Sequence, residues 1–441
     1  MSSQFYLNLV IWAVVGVVAF WKAGSSRWNG AGLALAFFIN MALIHWMGAL
    51  VCAVPWYTPL AGTIVNEQGF EMSTLGIVAF ALGCFLVAPV LSPHLESSEM
   101  FAPPTPRIIR SFLVIGIVCY VAAAAGLAKI PSVGAVVQTG TYFVLVAICI
   151  GLWDASLKNQ RKKFYGLLAS TLLLPAFTVL TQGFLGYGVG YAILVLSVFI
   201  TLYKRRSRLL LAALPLIFVG MSFYVTYMRD RAEIREQVWG GNTYGSRIGQ
   251  LAETCRTIEW FNPHDLKHLE RIDDRLNYNW LIGAAISHLQ LTRNYADGET
   301  IWMGMLALIP RALWPGKTVA AGSSDLVSRY AGIKVAYGTS VGMGLIFEFF
   351  INFGAYGVFV GLLIIGFLVG FVDRKAGAAL RSGANIDFAM WFIIGIALLN
   401  VGGSLVEIMP ALIIPVGITF GLRRWLHEET LPAESNPAQA I

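Results

Sequence analysis

The chain has 441 residues, of which 57% are hydrophobic and only 12% charged, against roughly 25% charged in an ordinary soluble domain. A soluble core of this length has no use for so much apolar side chain, so a soluble enzyme is excluded and an all-α polytopic membrane protein is predicted. The net charge of +7 falls mostly in short loops, where it orients helices, and is no signal for nucleic acid.

The N-terminus, MSSQFYLNLV, has no basic stretch before its apolar run and no small-residue cleavage site after it. It reads as a retained first helix and not as a signal peptide. Apolar runs of membrane-spanning length follow near 5–22, 31–54, 72–92, 108–129, 135–153, 163–181, 184–203 and 208–228, and then at 341–372, 386–403 and 406–422. A membrane helix needs about 20 such residues, so the runs predict about 11 spans. The run 341–372 is longer than one span needs, and Asn352-Phe353-Gly354 interrupts it. It reads as a short or re-entrant helix followed by a full one.

Lysine and arginine in short loops mark the cytoplasmic side. Lys22 and Arg27, Arg107 and Arg110, Lys158 to Lys163, Lys204 to Arg208, Arg374 to Arg381, and Arg423 with Arg424 fall in alternate loops. The loops 55–71, 130–134, 182–183 and 404–405 carry none. This alternation predicts an outer N-terminus, a cytoplasmic C-terminus and an outer segment at 229–340. The expected organisation is an N-terminal bundle of about eight helices over 1–228, the outer segment 229–340, C-terminal helices over 341–424 and a disordered tail over 425–441. No internal repeat is visible.

The outer segment is unlike the rest of the chain. It holds 13 of the 31 basic and 12 of the 24 acidic residues. Its arginines are Arg229, Arg231, Arg235, Arg247, Arg256, Arg271, Arg275, Arg293, Arg311 and Arg329. Helical spacing of apolar residues predicts helices over 246–261 and 279–291. The stretch 301–314 is apolar but short, and fits a helix lying in the interface. Of the five cysteines only Cys255 lies in this segment, and no CxxC or Cys/His ligand spacing occurs. Neither a disulfide framework nor a metal site is expected.

Two strings stand out for chemistry. In Ile309-Pro310-Arg311-Ala312-Leu313-Trp314-Pro315-Gly316-Lys317 two prolines flank an arginine and a tryptophan. An arginine at a membrane surface suits phosphate, because its planar fork donates two parallel hydrogen bonds. An interfacial anchor, with Trp314 at headgroup level and Arg311 snorkelling, explains the same residues equally well. Glu348, in Leu345-Ile346-Phe347-Glu348-Phe349-Phe350, is a carboxylate in an apolar run, which costs about 2.5–3.5 kcal/mol at mid-helix. Such a residue is a candidate general base or a helix-to-helix tie. Glu407 has the same character near a helix end. His288, on the predicted amphipathic helix, is a weaker candidate base. Gly316-Lys317-Thr318 is not a Walker loop, because Ala312 stands where its glycine belongs and no strand precedes it.

The IPRALWPGK string, followed by Thr339-Ser340 and by Glu348-x-Phe350-x-Asn352-Phe353-Gly354 leading into a glycine-rich helix, resembles the Wzy-type O-antigen and exopolysaccharide repeat-unit polymerases. These are bacterial inner-membrane glycosyltransferases of the GT-C class. The resemblance is strongest over 298–372. Thr318 stands where that family often has proline, and Phe350 where it often has tyrosine. The resemblance implies a GT-C-like fold with a large helical outer loop. It also implies a reaction that joins undecaprenyl-diphosphate-linked oligosaccharides at the periplasmic face, inverting and without metal or cofactor. Arg311 is then expected at the diphosphate, with Arg229, Arg231 and Arg247 as lesser candidates. Glu348 is the expected base, with His288 second, and Trp314, Lys317 and Asn352 are expected to contact substrate. The partners implied are the lipid-linked glycans and the bilayer, with room left for a chain-length regulator protein. An O-antigen ligase uses the same donor and fold class and is the nearest alternative. A lipid-linked oligosaccharide flippase would spread its charges along a midplane path and show repeats. A sortase-like protease would set a histidine near Cys255 and Arg256. This sequence has neither pattern.

Overall fold

The computed structural model describes residues 1–426 apart from 26–27, 93–103, 105, 131, 204–205, 310–312, 315, 317–322 and 336–340. Among the described residues every regular element is helical and no strand occurs. In chain order the helices are α1 (Ser3–Ala23), α2 (Leu33–Cys52), α3 (Thr63–Leu91), α4 (Pro106–Ala124), α5 (Val133–Leu157), α6 (Arg161–Gln182), α7 (Leu185–Leu202) and α8 (Arg206–Trp239). There follow α9 (Tyr244–Arg256), α10 (Leu266–Arg275), α11 (Asn279–Thr292), α12 (Glu299–Ala307), α13 (Ser323–Ala331), α14 (Gly344–Ser382), α15 (Asn385–Leu398) and α16 (Leu405–Leu426). Among the described residues ten helices, α1–α8, α14 and α16, are long and apolar enough to cross a membrane. The chain is a polytopic helical membrane protein.

Two boundaries differ from the sequence reading. The expected span at 386–403 is the 14-residue α15, about 21 Å long and short of a ~30 Å hydrocarbon layer. It stops because the chain turns at 399–404, where the amides of Val401 and Gly403 bond back to Leu399 and Asn400. The expected boundary at residue 228 falls inside α8, which runs unbroken for 34 residues. The charged stretch RDRAEIREQVW is rich in strong helix formers, so the helix continues through the change in polarity. In addition, α9 ends at Arg256, short of the expected 261.

Residues 229–340 do not stand apart from the bundle. Helix α11 packs directly on α3. A Cβ at Gly69 would lie 1.8 Å from the Asn279 carbonyl oxygen, and one at Gly283 would lie 1.9 Å from that of Val65. Only glycine allows this approach from both sides. A buried polar knot pins the joint before α11. Tyr57 Oη donates to Asp273 Oδ2 at 2.8 Å and Asn277 Nδ2 donates to Asp273 Oδ1 at 2.6 Å. Asn279 Nδ2 donates to the His45 carbonyl at 2.8 Å. His45 sits in a π-helical turn of α2, Ala42–Trp46, and its Nδ1 lies 3.0 Å from Asn279 Oδ1. Apart from the Asn277–Asp273 bond, these contacts join residues 229–340 to α2, to α3 or to the loop between them.

Helix α14 is two helices in one. Phe353 and Gly354 leave helical geometry, with Gly354 at φ +59°. In a straight helix Phe349 and Gly361 would be about 18 Å apart. Here a Cβ at Gly361 would lie 2.5 Å from the Phe349 ring, and one at Gly357 would lie 2.3 Å from the Phe349 carbonyl oxygen. The chain therefore folds back on itself after a short arm, 344–352, whose residues are all buried. The predicted break at Asn352-Phe353-Gly354 is where the reversal occurs. At the far end of α14, Asp373 is fully buried and caps α2. It accepts from the Ala31 and Leu33 amides at 2.8 Å each and from Trp28 Nε1 at 2.7 Å. This satisfies orphan donors at the helix start.

Candidate functional site

The short arm of α14 carries Glu348 and Asn352 one turn apart on one face. Each holds the start of another helix. Glu348 Oε2 accepts from the Leu405 amide, the first of α16, at 2.7 Å. Asn352 Oδ1 accepts from the Gly298 amide ahead of α12 at 2.9 Å, and its Nδ2 donates to Thr300 Oγ1 and to the Glu348 carbonyl, both at 2.7 Å. Glu348 is 0% exposed and Asn352 1%. The Thr300 hydroxyl is near the Glu348 carboxyl, yet Glu348 Oε1 makes no hydrogen bond among the described residues. A general base must reach the proton it takes. In this geometry the Glu348 carboxylate reaches the α16 backbone. Asn352 likewise spends its amide on α12 and α14, not on an open surface.

The arginines expected at the phosphate divide by partner. Arg229 is committed inside the protein. It donates to Asp230, to Glu259 Oε1 at 3.0 Å and to Thr257 through both its carbonyl and its hydroxyl. Glu259 also takes Arg271 at 2.7 Å and His268 at 3.2 Å. Burial alone would raise its pKa, but the bonds from Arg271, Arg229 and His268 outweigh burial and hold it at about 2. Arg247 donates to the carbonyls of Asn242 and Leu180 and stacks on Tyr244, tying α9 to α6. Both spend their donors on groups within the protein. Arg231 differs. It is half-buried, and no carboxylate or hydrogen-bond acceptor meets it among the described residues. Arg275 and Arg235 are within electrostatic reach of it. Arg235 lies over the Phe184 and Trp239 rings at 4.5 and 5.1 Å, and Arg275 is half-exposed beside Asp274.

Tyr278 links this arginine group to a carboxylate. It lies within electrostatic reach of Arg275, of Tyr187 and of Glu407, and Tyr187 is within reach of Glu407 as well. Burial pushes the Tyr278 hydroxyl above its usual range. Its ring packs against the backbone of Gly342 and Gly402. Glu407 is exposed, with Oε2 3.3 Å from Asn400 Nδ2. Arg275, within reach of Arg231, and the exposed Glu407 carboxylate thus share one tyrosine, Tyr278, within electrostatic reach. That pairing can neutralise an anionic group and orient a hydroxyl beside it. Sequence reasoning named Glu407 only in passing and did not separate Arg275 from its neighbours. Nothing in the local sequence distinguishes Arg231 from Arg229.

His288 is half-buried on α11, with its ring against the backbone of Gly332. Trp314 is 44% exposed. Arg311 and Lys317 lie outside the described residues. Among the described residues no group of three His, Cys, Asp or Glu side chains forms a metal-binding cluster.

No curated protein and no solved structure matches the chain. Residues 67–393, from within α3 to within α15, match the profile of a family described as a domain of unknown function, DUF8712. That match covers most of the chain, and with it Arg231, Arg235, Arg275 and Tyr278 but not Glu407 or the rest of α16; the protein belongs to the DUF8712 family.

Proposed function

We propose that this protein is a bacterial inner-membrane glycosyltransferase that joins oligosaccharides carried on undecaprenyl diphosphate, as a repeat-unit polymerase of the outer face. The observation that supports the reading is the group Arg231, Arg235 and Arg275, with Arg275 and the exposed Glu407 both within electrostatic reach of Tyr278. A lipid diphosphate needs cations at the membrane surface, and arginine supplies them in a planar, always-charged form. The sequence resemblance over 298–372 points to the same reaction.

In this reading Arg231 and Arg275 hold the diphosphate and stabilise the charge that grows on it as it leaves. Glu407 orients the acceptor hydroxyl and takes its proton as the hydroxyl attacks the anomeric carbon. The bond to the diphosphate oxygen breaks, and inversion results. Glu348 and Asn352 act as positioning residues by holding α16 and α12. Arg311 keeps its proposed place at the diphosphate.

The test is genetic and chemical. A deletion strain of a polymerase retains single repeats on its surface lipid, whereas a deletion strain of a ligase accumulates polymer on undecaprenyl diphosphate. Single repeats are expected. An Arg231→Gln, Arg275→Gln double variant is expected to cut polymer formation at least about 100-fold, in line with loss of preorganised charge stabilisation. Membrane-inserted double variant and Glu407→Gln that both still make long polymer would overturn the assignment.

A further inference from the structure

Tyr278 is fixed in place by two separate parts of the fold. The first is the π-helical turn of α2, Ala42–Trp46, where carbonyls accept from outside the helix. Ile44 O takes the Tyr278 amide at 2.8 Å, and His45 O takes Asn279 Nδ2 at 2.8 Å. Asn279 Oδ1 returns to the same turn, 3.0 Å from His45 Nδ1, and accepts from Ser73 Oγ of α3 at 3.0 Å. The His45 and Tyr278 rings meet edge to face, with centroids 6.3 Å apart. Widened turns of this kind are frequent at functional sites.

The second part is a pair of glycine-bearing stretches. The Gly344 and Leu345 amides donate to the carbonyls of Gly402 and Val401 at 3.1 and 3.2 Å, which joins the start of α14 to the turn before α16. A Cβ at Gly344 would lie 3.3 Å from the Tyr278 ring. A Cβ at Gly342 would lie 2.5 Å from the Tyr278 hydroxyl oxygen, and one at Gly402 3.4 Å from it. At the next residue, Gly403, a Cβ would lie 2.6 Å from Glu407 Oε2. One turn thus carries the tyrosine hydroxyl and the carboxylate as neighbours, and glycine at 342, 402 and 403 leaves both free of side-chain cover. Tyr278 is half-buried, yet its hydroxyl makes no hydrogen bond among the described residues. A tyrosine hydroxyl in such a place normally finds a partner. A belt tyrosine keeps its ring among lipids, whereas this ring is packed between α2 and the two glycine stretches. Packing alone is served by phenylalanine.

We infer that Tyr278 is a further catalytic residue of the proposed transfer, its hydroxyl donating a hydrogen bond to the diphosphate oxygen that leaves the sugar. The inference rests on the proposed glycosyltransferase reading and adds a fixed neutral donor to it. The proton balance is unchanged. The acceptor hydroxyl gives its proton to Glu407, and the electron pair of the broken C–O bond stays on the diphosphate oxygen. Tyr278 keeps its own proton and stabilises the charge growing there.

The test uses the full chain in lipid nanodiscs, with lipid-linked repeat units extracted from a deletion strain as substrate. Tyr278→Phe keeps the ring and removes only the hydroxyl. It is expected to lower kcat about 100-fold with KM nearly unchanged, because the hydrogen bond strengthens as charge moves onto the oxygen. Its melting midpoint is expected to equal that of wild type, since the hydroxyl serves no bond in the fold. A Tyr278→Phe variant that makes polymer at the wild-type rate overturns the inference. So does one that melts several degrees lower, because the hydroxyl then serves the fold. In both cases the glycosyltransferase reading stands as long as wild type makes polymer. If wild type makes none, that reading falls and the inference falls with it.

Discussion

Two parts of the molecule handle charge in opposite ways. The short arm of α14 buries a carboxylate and an amide and gives each a backbone partner at a helix start. Late in α8, Arg231 is half-buried with Arg275 and Arg235 within electrostatic reach, and no hydrogen-bond acceptor meets it among the described residues. A buried group without a partner is expensive, so the first arrangement reads as architecture. Like charges held close together lower stability, so the second reads as a site that waits for an anion. Glu348, the residue whose burial first drew attention, does the building. Arg231, one arginine among ten, meets no acceptor among the described residues.

The largest effect expected lies under both regions, at the α3–α11 contact. Gly283→Leu would drive a side chain into the Val65 carbonyl, and no folded, detergent-stable protein is expected on size-exclusion chromatography. Next, Glu348→Ala leaves the Leu405 amide without its acceptor and opens a void, at a cost of about 2–4 kcal/mol. A melting midpoint equal to wild type would break the claim that Glu348 is architectural. Glu259 gives a smaller and pH-dependent effect. Its pKa is held at about 2 in the folded protein, below that of a free carboxylate. Its contribution is therefore complete above about pH 4.3 and disappears as pH falls through 2. The melting midpoint should drop by a few degrees on acidification across that window, and less so in Glu259→Gln. The smallest effect separates neighbours: Arg229→Gln should destabilise by about 1–3 kcal/mol, whereas Arg231→Gln should stay within about 0.5 kcal/mol of wild type. Equal losses for the two would erase the comparison.

The helical membrane fold was legible because long apolar runs admit little else. The reversal in α14 was legible as well, since a glycine after asparagine and phenylalanine interrupts a run too long for one span. The end of α15 was not, because the turn that stops it is made of apolar and small residues that read as more helix. Nor was the burial of α11. Its apolar spacing predicted a helix but not the partner that covers it, and the glycines that seat it, Gly69 and Gly283, are 214 positions apart. The site was legible only in kind. Arginine beside a membrane suggested phosphate, but which arginine is open depends on where Asp230, Glu259 and Thr257 fold, and no local spacing encodes that. Glu348 was conspicuous for its cost, and its partner is a backbone amide 57 residues later.

That separation has a consequence for how the protein is made. Glu348 enters the membrane well before Leu405 has been synthesised. At about 5–20 residues per second, 57 residues is roughly 3–11 s of translation during which the acid has no amide to receive. The last helix therefore works as a latch on the biogenesis of the short arm. A chain truncated ahead of Leu405 keeps the whole family segment 67–393, yet leaves the buried Glu348 open to quality-control proteolysis.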